Sequence, residues 1–227
     1  MFVEGSMTKS VLSFGAHPDD IELGCAGSEI QWHKQGYTII HACVSSGESG
    51  SSHIPKHILK EQREQEARNA ARIIGAETVF FLGSPDGFIE HTQDLKLKVI
   101  DLIRKIQPEI ICVHASSDSF RDHVIVHQVV LDASFVAGGP SFQGAPWHTP
   151  TVLGYEVWHP MSRFQYLVDI SEVMEQKLEA IRAHRSQVEA VRFDEAFHGL
   201  AKYRGGLSGC QFAEVFEVIR TGNQHAT

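Results

Sequence analysis

The chain lacks several features that would assign it to a class at once. No stretch of its 227 residues approaches the roughly 20 consecutive apolar residues of a membrane-spanning helix, and the amino terminus has no secretory-signal layout. Lysine and arginine form no cluster, and the formal net charge is -8, which argues against a nucleic-acid partner. We therefore expect a cytoplasmic protein that binds neither a membrane nor nucleic acid.

Paired cysteines and internal divisions are also absent from the sequence. The four cysteines are widely scattered without a CxxC pair, and most lie within or beside apolar stretches, which predicts buried thiols in a reducing compartment. No internal repeat, low-complexity segment or interdomain linker interrupts the chain. We expect a flexible leader over residues 1–9 and a single domain over residues 10–227.

What is present is a regular alternation of apolar strands and amphipathic helices. The pattern predicts strands at 11–15, 37–44, 78–82, 110–113 and 152–158. It predicts helices at 21–35, 57–74, 94–106, 124–137 and 171–186. Strands separated by helices of this length are typical of right-handed parallel crossovers. The predicted fold class is therefore α/β, a Rossmann-like three-layer sandwich with a mostly parallel sheet.

The most informative segment joins the first predicted strand to the first predicted helix. The strand ends in His17, Pro18, Asp19 and Asp20, and ligands of open parallel sheets bind outside the carboxyl ends of the strands. His17 and Asp20 can turn toward one point while Asp19 stays free beside them. Two ligands and a spare carboxylate predict a catalytic metal site.

A catalytic zinc usually takes three protein ligands, and Asp122-His123 is the best source of the third. This pair follows the predicted strand at 110–113, so it should lie at the same edge of the sheet. His127 competes with it, because His123 and His127 would share one face of a helix. The simpler alternative for either histidine is a helix cap or a surface position.

Asp19 is the candidate general base. Pro18 restricts the backbone, so Asp19 cannot readily reach the ion that Asp20 binds. A carboxylate near a metal-held water can take its proton, while the metal lowers the pKa of the water and polarises a carbonyl. Asp19 is also a favoured helix cap, and Glu22 either supports the ligands or favours the helix amino terminus.

The segment His17-Pro18-Asp19-Asp20-Ile21-Glu22 resembles the HPDDxE signature of the PIG-L/LmbE-like zinc deacetylases, which remove N-acyl groups from amino sugars on a Rossmann-like fold. The resemblance covers nearly the whole chain. Its other motifs are Gly47-Glu48, the RxxE helix from Arg63, Asp86-Gly87, Asp122-His123 and the AExF element at 213–216. The late helix is most similar to that of bacillithiol-pathway N-acetylglucosaminyl-malate deacetylases.

For the metal, the resemblance implies one zinc ion per subunit, or another divalent ion, held by His17, Asp20 and His123. Asp19 is then the base. Asp122 would orient an imidazole from outside the ligand set.

For the substrate, the resemblance implies that Glu48, Arg63 and Asp86 contact sugar hydroxyls or nearby polar groups. The simpler alternatives are a loop charge, a helix-face ion pair and a turn-forming aspartate, respectively. Related proteins are often oligomers, so a homo-oligomer is expected here as well.

One position departs from the family pattern. Many members carry a histidine three positions before the zinc-binding one, thought to stabilise the oxyanion or protonate the leaving amine, and here that position is Phe120. Phenylalanine can do neither, and an oxyanion-hole donor is commonly worth a few kcal/mol. The candidate replacements, none strongly favoured, are Arg121, His114, His198 and His127. A shifted alignment with His127 as the ligand ranks second.

The sequence therefore predicts a zinc-dependent hydrolase that removes the N-acetyl group from an amino sugar or an N-acetylglucosamine conjugate. The alternative, motivated by Phe120, is a carbohydrate-binding or regulatory protein that retains the metal and has weak or no deacetylase activity. A nucleotide-binding Rossmann protein is disfavoured, because the turn after Gly15 lacks the glycines that allow close approach of a pyrophosphate.

Overall fold

Seven strands form one sheet in the computed structural model, which describes residues 9–222. The strands are β1 (Ser10–Gly15), β2 (Thr38–Ser45), β3 (Thr78–Ser84), β4 (Ile110–His114), β5 (Thr151–Tyr155), β6 (Tyr166–Asp169) and β7 (Ala213–Arg220). Across the sheet their order is β3-β2-β1-β4-β5-β7-β6. The first five are parallel, whereas β7 runs antiparallel to both β5 and β6. The predicted α/β class with a mostly parallel sheet is confirmed.

Helices cover both faces of this sheet. They are α1 (Asp20–Gly24), α2 (Ala26–Lys34), α3 (Lys56–Ile74), α4 (Gln93–Ile106), α5 (Arg121–Val136), α6 (Met174–Arg182), α7 (Arg185–Val188) and α8 (Phe193–Ser208). One apolar core joins the sheet to α2, α3, α6 and α8, and the other joins it to α4 and α5. Successive β1 residues such as Val11 and Leu12 enter opposite cores, which explains why the strands are apolar on both faces.

The helix predicted at 21–35 is two helices, broken at Cys25. Cys25 has a φ of -142°, so the backbone leaves the helical path there. The carboxylate of Glu214 accepts hydrogen bonds from the backbone N–H groups of Gly27 and Ser28 at 2.9 and 2.7 Å, and thereby caps the first turn of α2. The local pattern does not reveal this break because Glu214 comes from the other end of the chain.

The carboxyl-terminal third differs most from the prediction. The helix expected at 171–186 is α6 followed by the short α7, and the strand expected at 152–158 ends at Tyr155. The sequence predicts no element where β6, α8 and β7 lie. β6 is only four residues long and lies at an edge of the sheet. Its pairing with β7 makes it a strand, because four residues are too few to show a clear strand pattern in the sequence.

Two sequence expectations concern the membrane and the chain start. Within residues 9–222, no helix combines the length and apolar character needed to cross a bilayer. The leader predicted at 1–9 lies, apart from Lys9, outside the described residues.

Candidate metal centre and active site

Polar side chains converge at the carboxyl ends of β1 and β4, which are neighbours in the sheet. His17 and Asp20 follow β1, and His123 lies in the first turn of α5, which follows β4. One potential ligand atom from each residue lies within 4.8 Å of the others. The tertiary structure thus brings together the three residues that the sequence nominates as ligands.

Asp20 is at the centre of this group. Its Oδ1 lies 3.3 Å from His123 Nε2, and its Oδ2 lies 3.4 Å from His17 Nδ1 and accepts the backbone N–H of His17 at 2.7 Å. Burial raises the pKa of Asp20, but His123 and His114 outweigh it and hold the pKa well below its usual value. The carboxylate is therefore ionised, as a cation ligand must be.

His123 presents one ring nitrogen to this centre. Its Nδ1 lies 2.9 Å from Asp118 Oδ2, so its Nε2 faces Asp20. That Nε2 is buried and has no hydrogen-bond partner among residues 9–222. A buried polar atom without a partner is costly, and metal-binding imidazoles typically place their second nitrogen against a carboxylate. The donor set and this unpaired nitrogen fit a divalent metal ion.

Two other potential ligand sets overlap with the first: His114, Asp118 and His123, and His17, Asp86 and Asp122. In the second set, His17 Nε2 lies 3.2 Å from Asp86 Oδ1 and from Asp122 Oδ2. Asp122 Oδ2 also accepts the backbone N–H of Gly87 at 2.8 Å. Asp122 therefore contacts the His17 imidazole and at the same time anchors the loop after β3.

Asp19 belongs to none of the potential ligand sets among the described residues. Its φ of 124° is rare for a residue with a side chain, and such strain is concentrated at functional sites. Asp19 precedes α1 without making a side-chain capping hydrogen bond. Instead its Oδ2 lies 3.1 Å from Arg63 Nη2. Burial raises the pKa of Asp19 to about 6, although Arg63 acts in the opposite direction.

Arg63 is buried behind Asp19, with 3% of its surface exposed. Its Nη1 donates to the carbonyl of Gly47 at 3.0 Å, and its Nη2 donates to the carbonyl of Pro18 at 2.5 Å. A Cβ at Gly47 would lie 2.3 Å from Nη1, and the φ of Gly47 is +68°, so this position requires glycine. The geometry makes Arg63 a positioning residue for Asp19, and its contact with substrate stays a prediction.

Glu48 and Asp86 tie the loops after β2 and β3 to each other. Glu48 Oε1 accepts the backbone N–H of Asp86 at 2.9 Å, and Asp86 Oδ2 accepts that of Ser49 at 2.7 Å. Glu48 is half-buried, and Asp86 Oδ1 faces His17. Asp86 therefore borders the potential metal-binding cluster, and Glu48 holds the backbone of Asp86 there.

Glu22 lies beneath the turn and makes no hydrogen bond or ion pair with the three predicted ligands. Its Oε2 is 3.3 Å from His184 Nε2, and its Oε1 is 3.8 Å from His41 Nδ1. Burial raises the pKa of Glu22, but His184 and His41 outweigh it and lower the pKa overall. Glu22 thus belongs to a buried ionic layer under α1.

Phe120 borders the mouth of the site. It is the residue before α5, and its ring centroid lies 5.8 Å from that of His17 and 5.0 Å from that of His123. Both ring pairs have edge-to-face geometry, and 46% of Phe120 is exposed. An apolar ring therefore stands where the family pattern has a histidine.

The structure places three of the four candidate replacements away from this mouth. His114 is fully buried and stacks on His123 with a centroid distance of 3.8 Å. His127 donates its Nδ1 hydrogen to the carbonyl of His114 at 2.8 Å, and His198 packs against Phe212. The fourth, Arg121, is exposed, and its side chain makes no hydrogen bond or ion pair with the part of the chain described.

The sequence analysis misses His159. β5 lies beside β4, and the loop after it brings His159 Nδ1 to 3.6 Å from Asp118 Oδ1. Ser119 Oγ lies 3.0 Å from His159 Nε2. A signal was available, because His159 directly follows the strand predicted at 152–158 and the carboxyl end of a strand beside β4 is a site position.

The fold and site define an α/β protein with a potential metal cluster and a separate buried carboxylate at the carboxyl edge of its sheet. The chain belongs to the PIG-L family, described as GlcNAc-PI de-N-acetylase, whose pattern matches residues 12–134, more than half of the chain. The family prediction is confirmed.

Individual relatives extend over most of the chain. It is 28% identical over 225 residues to the diacetylchitobiose deacetylase of Thermococcus kodakarensis, covering 93% of this chain and 83% of the relative. It is 28% identical over 193 residues to the 4-oxalmesaconate hydratase of Pseudomonas putida, covering 79% and 74%. The crystal structure of a conserved protein from Thermus thermophilus superposes with a TM-score of 0.84, at 29% identity and 94% and 95% coverage.

Proposed function

We propose that this protein is a metal-dependent hydrolase that removes the N-acetyl group from an amino sugar or an N-acetylglucosamine conjugate. The observation that carries the proposal is a buried carboxylate, Asp19, held apart from a His/Asp/His cluster by its pairing with Arg63. The family description and the diacetylchitobiose deacetylase support an N-acetyl amide as the bond that is cleaved.

His17, Asp20 and His123 would hold the metal, and zinc suits a set of imidazole and carboxylate donors. A divalent ion at this position supplies Lewis acidity, which lowers the pKa of water and polarises an acetyl carbonyl. Asp118 and Asp122 contact the imidazoles of His123 and His17 and would keep them oriented.

Asp19 acts as the general base. Arg63 occupies its Oδ2, so its Oδ1 is the oxygen available to take a proton from the attacking water. A pKa of about 6 leaves the carboxylate ionised at neutral pH and makes it more basic than an exposed aspartate. The water oxygen bonds to the acetyl carbon, the C–N bond breaks, and the free amine and acetate leave.

Glu48 and Asp86 offer carboxylate oxygens at the border of the cluster, where they would accept hydrogen bonds from sugar hydroxyls. Asp86 Oδ1 lies beside His17 Nε2, while Asp86 Oδ2 accepts a hydrogen bond from the backbone of Ser49. Arg63 would act on the substrate indirectly, by keeping Asp19 in place.

Three variants of the zinc-loaded protein test the proposal, with acetate and free amine measured on N-acetylglucosamine and diacetylchitobiose. Asp19→Ala should keep zinc and lose roughly 10²–10⁴-fold in turnover, whereas His17→Ala should lose both zinc and turnover. Arg68→Ala, a change on the exposed face of α3, should match the wild type. A fully active Asp19→Ala protein would overturn the mechanism.

Binding and hydration measurements on the same zinc-loaded protein distinguish two other possible functions. Sugar binding without metal-dependent acetate release would favour the carbohydrate-binding alternative. Because one relative is a hydratase, metal-dependent addition of water to an unsaturated carboxylic acid, without amide cleavage, would instead assign a hydration reaction.

Two expectations about the protein's setting are proposals as well. Cys25, Cys43 and Cys112 are buried free thiols, which supports a reducing, cytoplasmic setting. A homo-oligomer is proposed by analogy with related proteins, and light scattering coupled to size-exclusion chromatography would measure its mass directly.

A further inference from the structure

Amide hydrolysis at this site needs a group that protonates the leaving nitrogen. An amine is a poor leaving group unless its nitrogen gains a proton as the C–N bond breaks. Phe120 has no proton to give, and Asp19 is held on the β1 side by Arg63. Side chains on the β4 and β5 side of the cluster are therefore candidate donors.

Asp118 connects the cluster with this side. Its side chain is 2% exposed; its Oδ2 lies 2.9 Å from His123 Nδ1, and its Oδ1 lies 3.6 Å from His159 Nδ1. The backbone N–H of Trp158 donates to the same carboxylate at 3.3 Å. This hydrogen bond anchors the loop after β5 at the residue that precedes His159. One buried carboxylate thus faces both a predicted metal ligand and a histidine at the rim.

His159 is open to solvent and contacts Ser119, which precedes Phe120 in the chain. Its side chain is 53% exposed, and its Nε2 lies 3.0 Å from the hydroxyl of Ser119, the neighbour of Phe120 in the chain. Phe120 in turn forms edge-to-face ring pairs with His17 and His123. His159 therefore contacts Ser119 at the open side of the site, one residue along the chain from the position at which the family pattern has its histidine.

The other histidines near the site do not combine these properties. His114 and His184 are fully buried, and His184 faces Glu22 beneath the turn. Burial, together with the charge of His123, lowers the pKa of His114 to about 4, so His114 is uncharged at neutral pH. Of these three histidines, only His159 is both exposed to solvent and close to a carboxylate, that of Asp118.

We propose that His159 protonates the leaving amine, with Asp118 as its positioning residue, and so replaces the histidine that is absent at Phe120. This inference rests on the proposed deacetylase function. The His159 imidazolium gives its proton to the amide nitrogen as the bond from that nitrogen to the acetyl carbon breaks. Asp19 then releases to solvent the proton that it took from water, and the exposed His159 regains a proton from solvent, so the cycle consumes one water and releases one amine and one acetic acid.

A comparison of two leaving groups tests the role of His159. The amide of N-acetylglucosamine needs a proton donor, whereas 4-nitrophenyl acetate releases a nitrophenolate without one. We expect His159→Gln to lower kcat on the amide by roughly 10²–10³-fold with KM nearly unchanged. Metal-dependent cleavage of the ester and the zinc content should stay within about threefold of the wild type, the scatter ordinary for a substitution that does not touch the chemistry.

Matched controls keep a structural effect apart from a catalytic one. His91→Gln removes another partly exposed histidine that pairs with an aspartate, Asp132, and should leave both activities unchanged. Added imidazole should restore part of the amide activity of His159→Gly, because the position is open to solvent.

Other results of these assays would overturn either the donor role alone or the proposed function with it. Full amide activity in His159→Gln, or an equal loss on amide and ester, would overturn the donor role while the deacetylase assignment stands. No amide cleavage by the zinc-loaded wild type would overturn the proposed function and the donor role together.

Discussion

The two sides of the candidate site differ in how firmly they are held. On the β1 side, Asp19, Asp20 and Arg63 are all buried, and each carboxylate faces a cationic or potentially cationic partner. On the side formed by the loops after β4 and β5, Phe120 and His159 are both about half exposed. Asp118, Asp122 and His123 are buried on that side as well.

This contrast matches what each side has to do. Activation of water depends on a base and a metal at fixed positions, and buried, paired side chains provide that preorganisation. Departure of the amine requires access, which a partly exposed rim allows. Under the proposed function, the buried side would activate water, and the open side would meet the part of the substrate that leaves.

The largest effect on stability and kcat among these changes is expected from Arg63→Met on the buried β1 side. The change removes the cationic partner of Asp19 and two hydrogen bonds to loop carbonyls. Loss of one member of a buried ion pair should lower the free energy of unfolding by roughly 3 kcal/mol. Misplacement of the base should lower kcat by about 100-fold, measured by acetate release.

Arg68→Met on the same helix is the control for Arg63→Met. Arg68 forms an exposed pair with Glu64, so its loss should cost less than about 1 kcal/mol and leave kcat unchanged. Equal effects of the two changes would show that the β1 side is not held by Arg63 as described.

A smaller effect is expected at the open side from Phe120→His. In the His159→Gln background this change should recover about 10-fold in kcat on the amide, because an imidazole at position 120 can donate the proton. Phe120 is half exposed, so the free energy of unfolding should change by less than about 1 kcal/mol. Phe120→Gln, which has no transferable proton, is the control, and equal recovery by it would rule out proton donation.

The smallest effect concerns the ionic layer beneath the β1 turn and depends on pH. Burial lowers the pKa of His41, but Glu29, 2.8 Å from its Nε2, and Glu22 outweigh it, so the pKa is raised above its usual 6.5. The stabilisation is fully present below the unfolded-state pKa and is lost as pH rises through the folded-state pKa. Each pKa unit is worth about 1.4 kcal/mol.

Urea unfolding of the wild type and His41→Gln, at equal metal loading, measures this contribution. The wild type should exceed the variant in unfolding free energy most at pH 6, and the difference should shrink toward pH 9. A difference that grows with pH would contradict a charged His41 in the folded protein.

Sequence reasoning succeeded where a short segment carries both position and chemistry. His17, Asp19 and Asp20 directly follow a buried strand, and His123 follows the strand beside it, so strand ends alone predict their meeting. His159 is not among the predicted site residues, because nothing local marks the carboxylate of Asp118 as its partner. The family resemblance also implies a substrate contact for Arg63, which stays a prediction, and the fold buries Arg63 beside Asp19.

The alternation of apolar runs by itself determined the α/β class and the parallel half of the sheet, because strand and helix periods are local properties. The antiparallel strands β6 and β7 and the break at Cys25 arise only through partners far along the chain, such as Glu214. Likewise, the residue types of the HPDDxE segment indicated metal chemistry. Only tertiary packing decided that Arg63 pairs with Asp19 and that His159 lies against Ser119, since burial and distance are properties of the whole fold.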